Sequence, residues 1–138
     1  MDIKLRMAVE SDLEEIREKA KQLDLDCSEM RYDDFVVACK ANAIAGFGRI
    51  KKYSDCMEIS TLGVVLSEQK KGIGSMLMKK LLDKLQQDVF VVCVIPEYFS
   101  RFGFMETKIF PEVLKKKCEF CHSFGYDEEK VFVMKKER

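Results

Sequence analysis

The 138-residue chain has no net charge, because twenty-four Lys and Arg face twenty-four Asp and Glu. A general polyanion binder needs a basic surface, so a nucleic-acid partner is not expected. Long apolar runs are also missing. The longest, Val89 to Pro96, is far short of the ~20 residues that cross a bilayer, and Met1-Asp2-Ile3-Lys4 lacks the apolar region of a signal peptide. No membrane partner is expected, and the setting that follows is cytoplasmic. The six cysteines do not read as a disulfide framework, since four sit inside apolar runs such as Val37-Ala38-Cys39 and Val92-Cys93-Val94. There is no repeat, low-complexity segment or linker, and the length predicts a single domain over 1–138.

A hydrophobic content of 47% supplies a real core. Charge is distributed unevenly: residues 1–68 hold ten basic and fourteen acidic side chains, and residues 69–138 hold fourteen and ten. An anion belongs with the second half. Ile3 to Met7 alternates like a half-buried strand. Ser11 and Glu14 form a capping-box pattern ahead of a helix that aligns Leu13, Ile16, Ala20 and Leu23 on one face. Asp24 to Asp34 is polar and without period, and reads as a loop with at most one helical turn. Phe35–Cys39, Ile44–Ile50 and Cys56–Leu66 read as an antiparallel meander, with turns at Ala41-Asn42 and Tyr53-Ser54-Asp55. A second helix repeats Ile73, Leu77, Leu81 and Leu85. The β-branched run Val89 to Val94 reads as a strand buried on both faces. A short helix over Glu97–Phe102, stopped by Gly103, and strands over Phe104–Ile109 and Val131–Met134 complete the order.

Between the third meander strand and the second helix lies Gln69-Lys70-Lys71-Gly72-Ile73-Gly74. Two glycines at a helix start let several N–H groups point at one anion, and the helix dipole and two lysines add positive charge. The spacing is neither the Walker pattern nor the Rossmann fingerprint. By itself it is also compatible with a solvated glycine loop.

Glu58-Ile59-Ser60-Thr61-Leu62-Gly63-Val64, followed by Gln69-x-x-Gly72-x-Gly74 and the Leu/Met helix, resembles the acetyl-CoA motif of the GNAT superfamily of N-acetyltransferases, Q/R-x-x-G-x-G/A. Tyr98-Phe99-Ser100-Arg101-Phe102-Gly103-Phe104 resembles that family's second signature, a short aromatic helix ending in Gly-Phe. The resemblance implies an α/β (α+β) GNAT fold. Its central sheet would be mixed, mostly antiparallel, with about six or seven strands splayed at the acetyl-CoA site and about four helices on its flanks. It further implies that acetyl-CoA is the cosubstrate, lying between the third meander strand and Val89–Val94. Its phosphates would rest on Gln69, Lys70, Lys71, Gly72, Ile73, Gly74 and Ser75. The pantetheine arm would pair with backbone around Leu62, Val64 and Val65, and the Val64 N–H would donate to the thioester oxygen, stabilising the oxyanion.

An acceptor amine with a pKa near ~10 is protonated at neutral pH and must lose a proton before it attacks. Glu58, a carboxylate among Met57, Ile59 and Leu62 and eleven positions before Gln69, is the candidate base, as in many members of the family the resemblance points to. A strand-face Glu turned to water is the plainer alternative. Many members carry a Tyr acid four residues before the Gly of Gly-Phe, where this chain has Phe99. Tyr98 is the remaining candidate acid, although a neighbour about 100° around a helix reads better as a packing or rim residue.

The tail, Phe110-Pro111-Glu112-Val113, Cys118-x-x-Cys121-His122 and Asp127-Glu128, is similar to the ending of short N-acetylglutamate synthase-like proteins, with Tyr126 where those have a third Cys. Three possible ligands are one short of a structural zinc site, so no metal is expected and His122 reads as structural or solvated. The implied acceptor is the primary amine of a small molecule, with glutamate or a related amino acid first to try. Arg31, Arg49 and Arg101 are candidate partners for its carboxylate. A non-catalytic acyl-CoA-binding module and a peptide N-acetyltransferase are the alternatives, and either a monomer or a homodimer is compatible with the sequence.

Overall fold

The computed structural model describes residues 2–83, 85–115 and 131–137. Its elements run β1 (Ile3–Met7), α1 (Leu13–Gln22), β2 (Phe35–Lys40), β3 (Ala43–Lys52), β4 (Met57–Val64), α2 (Ile73–Leu82), β5 (Val89–Cys93), α3 (Pro96–Ser100), β6 (Met105–Glu106) and β7 (Phe132–Lys136). The seven strands form one mixed sheet in the order β1-β2-β3-β4-β5-β7-β6. Strand β5 runs parallel to β4 through two pairs, Met57 with Val89 and Glu58 with Phe90, and antiparallel to β7. Three α-helices lie among the described residues, one fewer than expected. Between α1 and β2 the polar stretch forms only a single 3-10 turn, Tyr32–Asp34, because it offers no apolar face for a longer helix to bury.

Two compact units are built from this order: residues 1–51 with 59–84, and 52–58 with 85–138. In the first, Ala8, Ile16, Ala20, Phe35, Val37, Ile44 and Phe47 form the core, joined by Leu23, Leu25 and Met30. Helix α2 packs against β3 at Gly48, where a Cβ would lie 2.8 Å from Leu62 Cδ1 and 3.0 Å from Leu81 Cδ1. Any larger residue there would have to displace one of those leucine methyls. In the second unit Cys56, Phe90, Leu114 and Val133 form the core, with Tyr53, Val92 and Phe110 against it.

Two local expectations are revised. Helical backbone begins at Glu10, with Ser11 already inside a 3-10 turn, so the capping carboxylate is Asp12: its Oδ2 accepts the Val9 N–H at 2.8 Å and Arg6 Nη1 at 2.7 Å. The pair with Arg6 holds Asp12 below the ordinary carboxylate range. The strand expected over 104–109 shortens to Met105–Glu106, because the Thr107 hydroxyl oxygen accepts the Ile109 N–H at 3.1 Å and turns the chain.

Candidate active site

Strand β4 delivers the chain into a 3-10 turn, Leu66–Glu68, and then into the loop that opens α2. The backbone is left-handed at Lys70 (φ +66°) and at Gly72 (φ +87°), which curls the loop so that successive N–H groups can converge as in an anion nest. No side chain caps α2 at its N-cap, Gly72. The N–H groups of its first turn, Ile73, Gly74 and Ser75, therefore lack helical partners and carry the positive end of the dipole. A Cβ at Gly72 would meet nothing within 4 Å. The loop thus has open space beside it, as close approach of a phosphate requires.

Charge around the loop is partly compensated. Lys71 and Lys40 donate to Glu68 at 3.2 and 3.3 Å and hold its carboxyl below the usual range, while Lys70 is exposed. The Gln69 side-chain amide donates to the Val64 carbonyl at 2.9 Å, fastening the loop to the end of β4. The Val65 N–H is given to the Ala45 carbonyl and the Val65 carbonyl accepts the Glu68 N–H, both at 2.9 Å. Of the three backbone positions expected to meet pantetheine, Val65 is thus held by its own chain.

Glu58, in β4, is 1% exposed. Its Oε1 accepts the Tyr53 hydroxyl at 2.9 Å, so the carboxylate points into protein, not water. One residue before β4, burial pushes the Cys56 thiol up to about 11, with the Asp55 and Glu58 carboxylates adding to the shift.

A family model described as the acetyltransferase (GNAT) family matches residues 4–104. The chain belongs to that family. Members of the GNAT family bind CoA or acetyl-CoA, the kind of pyrophosphate ligand the α2 loop suits. Among solved structures, N-acetylglutamate synthase from Neisseria gonorrhoeae, complexed with coenzyme A and N-acetyl-glutamate, matches with a TM-score of 0.80 at 20% identity, over 99% of this chain and 35% of that one. Rv2747 from Mycobacterium tuberculosis, in a complex containing CoA, matches with 0.73 at 24% identity, over 98% and 99%. The protein yncA from Salmonella typhimurium, with acetyl-CoA, matches with 0.69 at 14%, over 99% and 94%. The chain spans about a third of the N-acetylglutamate synthase chain. At these identities the likeness is one of fold.

Within this GNAT chain the second signature is an aromatic cluster. Phe99 in α3 is 6% exposed and meets Phe104 edge-on at 5.9 Å. The half-buried Tyr98 ring packs against Phe99 at 5.2 Å and Phe102 at 5.4 Å, under the Arg101 guanidinium. The three arginines sort themselves: Arg31 pairs with Asp33 at 3.2 Å, Arg101 is exposed over Tyr98, and Arg49 is fully buried. Arg49 donates to the carbonyls of Ser28, Glu29 and Asp26 and to Thr61 Oγ1. It is committed to the protein and does not face a ligand carboxylate. Sequence reasoning passed over Tyr53, Thr61 and Lys40. The Arg49 partner of Thr61 and the Glu68 partner of Lys40 lie twelve or more positions away, and the Glu58 partner of Tyr53 five. The positive φ of +50° at Thr61 falls on a β-branched residue, where composition points the other way. The cysteine and histidine cluster of the tail lies outside the described residues.

No helix among the described residues is long and apolar enough to cross a membrane.

Proposed function

We propose that this chain transfers an acetyl group from acetyl-CoA to the primary amine of a small molecule, by direct attack of the amine on the thioester. The observation that carries the proposal is the uncapped start of α2 behind a loop left-handed at Lys70 and Gly72, an arrangement of free N–H groups that suits the pyrophosphate of CoA. Leu62 and Val64 at the end of β4 would hold pantetheine by its amides, and the Val64 N–H would donate to the oxygen as it gains charge. Glu58 would accept one proton from the ammonium, directly or through water; the neutral amine then attacks the thioester carbon, and as the C–S bond breaks the nitrogen's second proton passes to solvent while the CoA thiolate leaves and is protonated by solvent. Solvent suffices there because a thiolate is a far better leaving group than an alkoxide, which removes the need for an acid at Phe99.

Glutamate and related amino acids are the first acceptors to try, on the likeness of the tail. Purified protein is incubated with acetyl-CoA and a panel of amines that includes glutamate, and CoA release is followed with product identification by mass. Acetylation of at least one amine is expected. Acetyl-CoA left intact by every member of the panel would overturn the enzyme reading. A second reading, a non-catalytic acyl-CoA-binding module, is favoured by one observation, the apolar Phe99 packed on Phe104. It would show as thermal stabilisation by CoA without acetyl transfer.

A further inference from the structure

Thr61 sits in the middle of β4 with a left-handed φ of +50°. For a β-branched residue this conformation is unfavourable, and the chain on either side supplies no reason for it. The reason lies in a buried network. Arg49, 0% exposed, places Nε 3.0 Å from Thr61 Oγ1. A guanidinium only donates, so Thr61 accepts there and its single proton goes to the Asp26 carbonyl at 2.8 Å. With that proton spent, Ser60 Oγ, 3.2 Å away, is the donor in its contact with Thr61. The remaining Arg49 donors reach the Ser28 carbonyl at 3.0 Å and the Glu29 carbonyl at 3.3 Å, and the Asp26 carboxylate lies 3.7 Å from Nη2. The ring of Phe35 is 5.4 Å from the guanidinium carbon. Every direction in the network is thereby fixed.

A left-handed residue inside a strand interrupts the extended backbone and re-aims the groups that follow, as the first residue of a β-bulge does. Burial along β4 changes at this point, from buried through Thr61 to half-buried at Leu62, Gly63 and Val64. We propose that Arg49 is a positioning residue. By clamping Thr61 in its left-handed conformation it sets the direction of the Leu62–Val64 backbone, including the Val64 N–H assigned to the thioester oxygen. What those amides do rests on the acetyl-transfer reading; what holds them does not.

Four variants test this. Thr61→Val removes the hydroxyl and leaves Arg49 its loop carbonyls. Thr61→Gly also removes it but accepts positive φ without help. Arg49→Met removes the clamp, and Arg49→Met with Thr61→Gly tests rescue. In the ¹⁵N spectrum the Leu62–Val64 amide signals should move in Thr61→Val and Arg49→Met, and return toward wild type in the double variant. In turnover, Thr61→Val should lose about tenfold or more in kcat, as misplacement of an oxyanion donor does, with little change in the KM for acetyl-CoA. Thr61→Gly should retain more of kcat than Thr61→Val. A purely structural role predicts no such order and no rescue. If Arg49→Met does not fold, the Val and Gly pair decides. The proposal is overturned if the amide signals of a folded Thr61→Val are those of wild type, or if Val and Gly lose kcat equally. Wild-type protein that acetylates nothing while the amide signals respond as stated would sink the acetyl-transfer reading and leave the clamp standing.

Discussion

Replacing Gly72 by alanine separates the conformational cost of the α2 loop from any steric cost. At φ +87° an L-residue pays about 1–2 kcal/mol, whereas a Cβ there would touch nothing within 4 Å. Alanine also stiffens the unfolded chain, which offsets roughly 0.5 kcal/mol. The net loss should be about 1 kcal/mol, or roughly 3–4 °C in Tm for a domain of this size. Gly72→Asn, which tolerates the left-handed region better, should lose less. Denaturant titration of the two variants and of wild type gives the order, and calorimetric titration with CoA gives the functional half. If the loop keeps its shape, stability falls and the Kd for CoA stays close to wild type. If it relaxes to a negative φ, stability recovers and Kd rises by up to tenfold for each 1.4 kcal/mol of lost contact. An Ala variant as stable as wild type that also binds CoA as well would refute the assignment of a strained, anion-receiving loop. Gly48→Ala is the opposite case, since its Cβ would press on Leu62 and Leu81 at 2.8 and 3.0 Å; there the loss should come from displaced packing and leave the CoA loop untouched.

Glu58→Gln should lower kcat at neutral pH and recover part of it at high pH, where the amine deprotonates unaided; a pH–rate profile identical to wild type would remove Glu58 from the mechanism. Glu68→Gln frees Lys40 and Lys71, so CoA should bind severalfold more tightly at low salt, and the gain should shrink as ionic strength rises. Asp12→Asn should cost about 1 kcal/mol at neutral pH through the weakened cap. Because Arg6 depresses the Asp12 carboxyl, its contribution is full above the ordinary carboxylate value near ~4 and fades as pH falls below it, so wild type and variant should converge in acid.

The elements that carry their own periodicity were legible before any coordinates. Helix α2 shows Ile73, Leu77 and Leu81 buried as their spacing requires, and β5 is the β-branched run it resembles. Gln69 to Ser75 were placed together because a glycine loop at a helix start is a local event. Interactions spread across the chain were not legible. Arg49 read as a free cation, since nothing near it in sequence announces that three loop carbonyls some twenty positions earlier will claim it. Thr61 read as an ordinary strand residue, because its backbone angle is set by a partner in β3. Tyr53 read as part of a turn, and only the fold brings its hydroxyl to Glu58. The Ser11 box failed for a smaller reason: Asp12 had the better partner in Arg6 and drew the helix start forward.

The anchor at Arg49 also bears on how this chain can change over time. Three of its loop contacts are to main-chain oxygens, at Asp26, Ser28 and Glu29, and every residue type offers the same oxygen. The Arg49 contacts therefore place no demand of their own on side-chain type there, and the constraints that remain are local: Cys27 packs against the core, Ser28 Oγ donates to the Asp26 carboxylate at 2.6 Å, and Glu29 is left-handed at φ +50°. Arg49 itself is held more tightly, because its loss strands several carbonyls at once. Among close relatives Arg49 should vary least of this group, with Glu29 exchanging mainly for residues such as Asn or Gly that accept a left-handed backbone.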